Sequence, residues 1–246
     1  MSYQLEICAN SVQSVINAEK AGAQRVELCD NLWEGGTTPS AATIKLAKEK
    51  TKIAIYVLVR PRGGDFVYSD LEFEIIKEDI RICKELGVEG IVSGVLNADG
   101  TVDKARTKIL VELSRPLPFT FHRAFDVAAE PFQALEDIID CGAVRILTSG
   151  QKNSAIEGIE LLKEIQEKAA GRIIIMPGGG INESNISKLQ SIGCQEFHMS
   201  GKKAQKSMAK PGHVNMNSSK DIPENIIFTS DIGTIRSVIE KIDVDS

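Results

Sequence analysis

Two Glu–Cys pairs near the start of the chain contain the residue types best suited to chemistry. Glu6 and Cys8 lie in one apolar run, and Glu27 and Cys29 lie in the next. If both runs are strands, each pair occupies one face, because side chains alternate with a period of two. Two thiolates with few other ligands suit a soft ion such as Cu(I). The alternative is that both cysteines fill a core, as free cysteines commonly do.

Charged and titratable residues follow two later runs. Arg60 precedes a turn rich in Pro and Gly, where a guanidinium either clamps an anionic ligand or joins a salt-bridge network with Glu6 or Glu27. His122 titrates near neutral pH and can serve as an acid, a base or a ligand. Asp126 follows closely and is expected to orient it. The alternative for His122 is a packing role.

The last two apolar runs both end in turns that expose backbone. Bare N–H groups after the last two strands of a barrel commonly bind phosphate. The alternative is that the glycines are needed only for a tight turn. Together with two arginines, these turns predict an anion-binding site. Its predicted residues are Arg60, Arg123, Gly178, Gly179, Gly180, Ser200 and Gly201.

Eight short apolar runs position all of these residues, and segments with helical periodicity lie between them. Strands that alternate with helices predict a parallel sheet, and eight such units close into a (β/α)8 barrel. We predict a single barrel domain over 1–246, with the reactive residues at the carboxyl ends of the strands. The runs are 4–9, 25–29, 53–60, 90–95, 119–125, 143–149, 172–178 and 196–201.

Residues 202–229 break the alternation of strands and helices. This segment is polar and is too long for an ordinary connection between a strand and a helix. We predict an irregular loop after the eighth strand, over the active face, which serves as a lid or is a mobile insertion. A final helix is predicted from about Asp231, where apolar residues resume helical spacing.

Composition excludes several classes of protein. The chain has 246 residues and a formal net charge of −5, without a basic stripe, so we expect no nucleic-acid partner. No apolar run reaches the roughly 18 residues of a membrane span, and no leader precedes the first run, so we expect neither membrane insertion nor secretion. The five cysteines form an odd, dispersed set, which indicates free thiols in a reduced, cytoplasmic protein.

Several of these motifs resemble the copper homeostasis CutC family. The likeness runs from Glu6 to about Lys202 and is weaker in the last helix. It rests on EICANS (6–11), RVELCDNLWEGGTTPS (25–40), VRPRGGDFVYSDLE (59–72), FTFHRAFD (119–126), RILTSGQ (145–151), GRIIIMPGGGI (171–181) and EFHMSG (196–201). The resemblance implies a (β/α)8 barrel, a cytoplasmic location that includes the nucleus in animals, and homo-oligomers, either dimers or tetramers.

The resemblance also implies copper handling, with Cu(I) bound by Cys8 and Cys29. Some relatives have another cysteine in the segment around position 199, where this chain has Met199. Met199 is therefore either a third soft ligand or a simple loss of one.

Three functional hypotheses remain open from the sequence. The first is a Cu(I)-binding copper homeostasis protein, which the resemblance favours. The second is an enzyme that acts on a small phosphorylated or carboxylated metabolite by lyase- or isomerase-type proton transfer. Its catalytic residues would be Glu27, His122 and Arg60, with no organic cofactor, and the convergence of charged residues favours it. The third is a non-catalytic barrel whose oligomer interface matters most.

Overall fold

The computed structural model describes residues 3–208 and 225–244, which contain a parallel eight-stranded barrel. Strands one to seven are neighbours in chain order, and the eighth pairs with the first. A bridge between Gly178 and His198 joins the seventh to the eighth. The predicted (β/α)8 fold is therefore confirmed. The strands are β1 Gln4–Ala9, β2 Arg25–Leu28, β3 Ala54–Leu58, β4 Gly90–Ser93, β5 Phe119–Phe121, β6 Arg145–Thr148, β7 Ile174–Pro177 and β8 Glu196–Met199.

Eight α-helices alternate with these strands in the described part of the chain. Their ends follow local chemistry: Ser69 and Glu72 form a capping box, and Pro131 occupies a first helical turn. No helix within 3–208 and 225–244 combines the length and apolar character of a membrane span. The helices are α1 Val12–Ala21, α2 Ala41–Lys50, α3 Asp70–Glu85, α4 Lys104–Ser114, α5 Pro131–Cys141, α6 Ile159–Ala169, α7 Ile186–Ser191 and α8 Ile232–Val244.

Side-chain alternation divides the strands between an apolar outer layer and an interior that holds polar side chains and a smaller apolar cluster. On β1, Leu5 and Ile7 are buried in the large core that the barrel shares with its helices. Glu6 and Cys8 have the opposite orientation and face the inside of the barrel. In the β1–β8 register Glu6 pairs with His198, so the eighth strand brings an imidazole to the same interior face.

The segment after β8 differs from the predicted irregular loop. Lys202–Lys206 (β9) and Ile226–Ser230 (β10) pair as an antiparallel two-stranded sheet. This sheet lies against the loops that follow β1 and β2: Phe228 contacts Trp33, with 5.6 Å between ring centroids. Residues 209–224 of the predicted loop lie outside the described residues. The charged sequence of β9 lacks the apolar alternation of a strand, so it could not be predicted as one. Its strand conformation depends on pairing with β10.

Candidate functional site

A network of buried ions fills the lower part of the barrel interior, where the strands begin. Arg25 Nε donates to Glu6 at 2.5 Å, and Arg25 Nη2 donates to Glu196 at 2.7 Å. Arg145 Nε donates to the same Glu196 oxygen at 2.6 Å. Burial raises the pKa of Glu196, but Arg145 and Arg25 outweigh it and hold that pKa below its usual range. The network fixes the position of Glu6 from below.

Above this network, Cys8, Cys29, Glu27 and His198 form what we call the thiol–imidazole cluster. The two Sγ atoms lie 3.6 Å apart. His198 Nδ1 is 2.8 Å from Glu6 Oε1, and His198 Nε2 is 3.7 Å from Glu27 Oε2. One ligand atom each from Cys8, Glu27 and His198 lie within 4.8 Å of one another. These three residues thus place a thiol, an imidazole and a carboxylate around one point, and Cys29 adjoins them through the Cys8 sulfur.

Burial and neighbouring charges determine where protons reside in this cluster. Burial raises the pKa of Glu6, but Arg25 and His198 outweigh it, and the pKa is about 2. Burial raises the pKa of Glu27 to about 7, although His198 opposes this. Burial lowers the pKa of His198, but Glu27, Cys8 and Glu6 together raise it well above its ordinary value. The hydrogen bond to Cys29, followed by burial, raises the pKa of the Cys8 thiol.

The donor set fits a soft metal ion. Two ordinary metal–thiolate bonds of about 2.3 Å span up to about 4.6 Å, and the Cys8 and Cys29 sulfurs lie closer together than this, at 3.6 Å. The raised pKa of His198 keeps a proton on both ring nitrogens, so Nε2 must lose its proton before it can bind a metal. Nδ1–H then still donates to Glu6, and the Nε2 lone pair is directed towards Cys8 and Glu27. Metal-binding histidines typically have such a carboxylate partner on their second nitrogen. Thiolate and imidazole ligands together suit Cu(I).

A cavity of about 240 Å³ opens above the thiol–imidazole cluster at the carboxyl ends of the strands. Part of its wall is polar, and part is apolar. Its lining includes Cys8, Glu27, Arg60, His122, Arg123, Gly179, Gly180, His198 and Ser200, together with Leu32, Leu58, Phe66, Leu147, Ile181 and Met199. Glu27, Arg60 and His122, the predicted catalytic residues, therefore border one space.

Arg60 lies in this wall with its guanidinium buried. It donates to the backbone carbonyls of Glu34 at 2.7 Å, Gly36 at 2.9 Å and Gly64 at 2.6 Å. Among the described residues it has no carboxylate partner. The alternative in which Arg60 forms a salt bridge with Glu6 or Glu27 is therefore wrong. Arg25 and His198 pair with Glu6, and the Arg60 guanidinium bonds to backbone carbonyls instead.

His122 directly follows β5 and caps the 3-10 turn Arg123–Val127. Its Nδ1 accepts a hydrogen bond from the Ala124 N–H at 3.2 Å, so the neutral ring carries its proton on Nε2. Burial, followed by the nearby charge of Arg60, lowers the pKa of His122 to about 3. The sequence predicted that Asp126 orients this ring, and that prediction is wrong. Asp126 accepts instead from Thr148 Oγ1 at 2.5 Å, because the 3-10 turn directs it towards β6.

The remaining predicted anion-binding residues separate into two groups. Arg123 reaches the cavity wall, but it is 2.7 Å from Asp126 and also donates to Ser149 at 2.9 Å. Gly179, Gly180 and Ser200 line the cavity as well.

Two of the predicted anion-binding glycines have structural roles instead. The Gly178 N–H donates to the Thr148 carbonyl at 2.9 Å, so it is not free to bind an anion. Gly201 packs beneath α8, where an added Cβ would lie 2.8 Å from Ile235 Cγ1. The helix after β7 has only six residues, so its N-terminus adds little to anion binding by the turn before it.

Sequence reasoning missed His198 as a site residue, together with the ion network below it. The signal was present: Glu196 and His198 are spaced two apart on one strand, as Glu6 and Cys8 are, and both are buried. Met199 lies on the other face of β8 from His198 and belongs to the outer core, although it borders the cavity. This orientation does not support Met199 as a third soft ligand beside the thiols.

Fold and site together define a (β/α)8 barrel with a buried cluster of potential metal ligands beneath an open cavity. The model of the CutC family matches residues 3–203, and the chain belongs to that family. A CutC family protein of Chromobacterium violaceum is 48% identical over 242 residues, covering 96% of this chain and 98% of the relative. The human copper homeostasis protein cutC homolog is 44% identical over 239 residues, covering 96% and 88%.

A solved structure agrees with the family assignment. CutC from Streptococcus agalactiae is 37% identical and aligns with a TM-score of 0.76, covering 80% of this chain and 98% of that one. The predicted resemblance to the copper homeostasis CutC family is therefore confirmed.

Proposed function

We propose that this chain handles copper by binding Cu(I) through Cys8 and Cys29 at the base of the barrel mouth. The observation that carries the proposal is the 3.6 Å separation of the two sulfurs. Membership of a copper homeostasis family supports it. In this proposal copper is the cargo, and the protein holds it without chemical change.

The neighbouring residues give the site its selectivity. Two thiolates favour a soft monovalent ion over Mg²⁺ or Ca²⁺, which prefer oxygen ligands. His198 supplies an imidazole nitrogen beside the Cys8 thiol, and Glu6 fixes that ring from its other side. Bound copper takes the place of protons on these groups, since metal ligands must be deprotonated.

An anaerobic Cu(I) titration against a calibrated chelator tests this proposal. We expect the wild type to bind one equivalent tightly and the Cys8→Ser/Cys29→Ser variant to bind more than about a hundredfold more weakly. Mutation of a residue that only hydrogen-bonds to a metal ligand lowers metal affinity by about 10–100-fold. Loss of two direct ligands should lower the Cu(I) affinity further.

The matched control removes two other free thiols, in Cys141→Ser/Cys194→Ser. Both sulfurs are buried away from the barrel mouth. Circular dichroism establishes that both double variants are folded. Unchanged Cu(I) affinity in the Cys8/Cys29 variant, or equal loss in the control, would contradict the proposal.

A second candidate is an enzyme that transfers protons on a small carboxylated or phosphorylated metabolite. The observation that favours it is that Glu27, Arg60 and His122 border one cavity. Deuterium uptake into candidate acids in D₂O measures this activity. No uptake by the wild type across such acids, or equal uptake by His122→Asn, would reject the candidate.

We also propose a cytoplasmic location and a homo-oligomeric state. All five cysteines are free thiols, which supports a reducing compartment. Subcellular fractionation tests the location. Size-exclusion chromatography with light scattering measures the oligomer, and a monomeric mass at micromolar concentration would contradict that part of the proposal.

A further inference from the structure

The upper wall of the cavity contains a cation without a counter-ion. Arg60 is only 4% exposed, and its terminal nitrogens are occupied by three neutral backbone carbonyls. The neighbouring Tyr68 hydroxyl stays neutral, because burial raises its pKa to about 12. A buried positive charge is costly unless an anion accompanies it. Within the described residues, no carboxylate neutralises this one.

His122 provides a second polar group without a partner on the same wall. It is 4% exposed, and its Nε2 has no hydrogen-bond acceptor among the described residues. Because Nδ1 accepts from Ala124, Nε2 carries the proton and is a donor. Phe66 lies between the two groups: its ring centroid is 4.8 Å from that of His122 and 4.9 Å from Arg60 Cζ. Arg60 Nε also lacks an acceptor.

We propose that Arg60 and His122 bind the carboxylate of a small organic acid whose apolar part lies against Phe66, Leu32 and Leu58. One uncompensated cation and one neutral donor match a ligand with a single negative charge. A phosphate dianion would need more positive charge, and Arg123 cannot supply it, because Asp126 already neutralises Arg123 at 2.7 Å.

The low pKa of His122, about 3, supports this assignment. A neutral ring donates from Nε2 without adding a second positive charge, so the site balances one carboxylate. The inference concerns binding alone. It holds whether or not the thiol–imidazole cluster binds copper and whether or not the acid is turned over.

NMR of metal-free protein labelled with ¹⁵N-histidine tests the proposal, since the chain has only three histidines. The probes are 3-methylbutanoate, its uncharged amide 3-methylbutanamide, and inorganic phosphate. The His122→Asn variant assigns the His122 signals. We expect 3-methylbutanoate to move the Nε2 proton resonance downfield in a saturable way, whereas the amide and phosphate should leave it unchanged.

Two variants test separately the positive charge of Arg60 and the hydrogen bond from His122. We expect Arg60→Gln and His122→Asn each to weaken 3-methylbutanoate binding, measured by calorimetry, by about tenfold or more, as loss of a charge-assisted hydrogen bond implies. The control is Arg62→Gln, because Arg62 lies on the same turn but pairs with Glu72 and Asp65 outside the cavity. Its affinity should equal that of the wild type.

His122→Asn keeps the proposal testable if Arg60→Gln does not fold, since Arg60 also holds three carbonyls of its loop. Three results would overturn the proposal. These are equal binding of acid and amide, tighter binding of phosphate than of the acid, and 3-methylbutanoate affinity that is unchanged in folded His122→Asn.

Discussion

His122 is a buried titratable group whose protonated form is less stable in the folded barrel than its neutral form. The ring has no acceptor at Nε2, and Arg60 is the charged group that acts on it. In the unfolded chain a histidine has its ordinary pKa of about 6.5, whereas in the folded barrel the pKa is about 3. Between these values the unfolded chain binds a proton that the folded barrel does not.

The stability contributed by a neutral His122 is therefore fully present above about pH 6.5 and is lost as the pH falls towards 3. We expect the free energy of unfolding of the wild type to fall by about 3 kcal/mol more than that of His122→Asn between pH 6.5 and 4, at about 1.4 kcal/mol per pH unit. Urea unfolding at several pH values measures it. The other buried groups titrate in both proteins and cancel in the difference, so parallel pH profiles would contradict this account.

Much of the site could be predicted from the sequence at the scale of single residues. Cys8, Cys29, Glu27, Arg60 and His122 were all expected at the barrel mouth, because period-two alternation and strand ends are local features. Their partners were not predictable. Each pairing depends on the stagger between strands and on the turn that follows each strand.

His198 is a site residue that could not be assigned from the sequence of its own strand. Its spacing from Glu196 indicates a shared face of β8, but only the β1–β8 register places His198 opposite Glu6.

At the scale of elements, the two-stranded β9–β10 sheet is held by side chains of α1 and its preceding turn. The Ser230 N–H donates to Ser14 Oγ at 3.1 Å, and Asn17 Nδ2 donates to the Ser230 carbonyl at 2.8 Å. Asn10 Nδ2 donates to the Phe228 carbonyl at 3.3 Å. These bonds place β10 beside the rim of the barrel next to β1.

Ser14→Ala should loosen this attachment selectively. The substitution leaves the buried Ser230 N–H without its acceptor, which costs about 1–3 kcal/mol. We expect faster native-state hydrogen exchange at Ser230 and along β10, while the amides of β3 and β4 change little. The control is Ser191→Ala, whose exposed hydroxyl bonds only to the Lys188 carbonyl of its own helix turn among the described residues. Equal acceleration in both variants, or none in Ser14→Ala, would show that Ser14 does not anchor the sheet.

The element pattern was predictable where each element carries its own signal. The strand runs and the Ser69 capping box are local, and the structure contains them. Most strands end within a few residues of the predicted runs, and two larger differences have a physical reason. The run at 119–125 ends as a strand at Phe121, because His122 caps a 3-10 turn instead. The strand Lys202–Lys206 has no apolar alternation, so its existence depends on β10, a partner that begins twenty residues after β9 ends.

For the whole molecule, the ion network joins strands that are far apart in sequence. Glu196 on β8 accepts from Arg25 on β2 and from Arg145 on β6, so one carboxylate connects three parts of the barrel wall. Sequence reasoning did not find this network, because each charged residue was read within its own strand. Only closure of the barrel brings the three side chains into one layer.

Glu196→Gln should therefore destabilise the whole barrel. The amide keeps the shape of the side chain but removes the counter-ion that Arg25 and Arg145 share. Arg25 keeps Glu6, whereas Arg145 is left without a carboxylate partner among the described residues, and breaking a buried pair costs about 3–5 kcal/mol. We expect that loss in the free energy of unfolding, measured by urea denaturation at pH 7. The control is Glu136→Gln, which removes an equally close partner of Arg172, at 2.7 Å, from a pair that is nearly half exposed.

The comparison of the two variants isolates the effect of burial. Solvent screens the Glu136–Arg172 pair, so its loss should change the free energy of unfolding little. The carboxylate–guanidinium distances are alike at the two sites. A larger loss of unfolding free energy in Glu196→Gln therefore arises from the burial of the arginines that Glu196 neutralises. If Glu196→Gln costs no more than Glu136→Gln, water must reach Arg25 and Arg145 in the lower barrel. In that case the rigid support that the network gives to Glu6, and through it to His198, would also be lost.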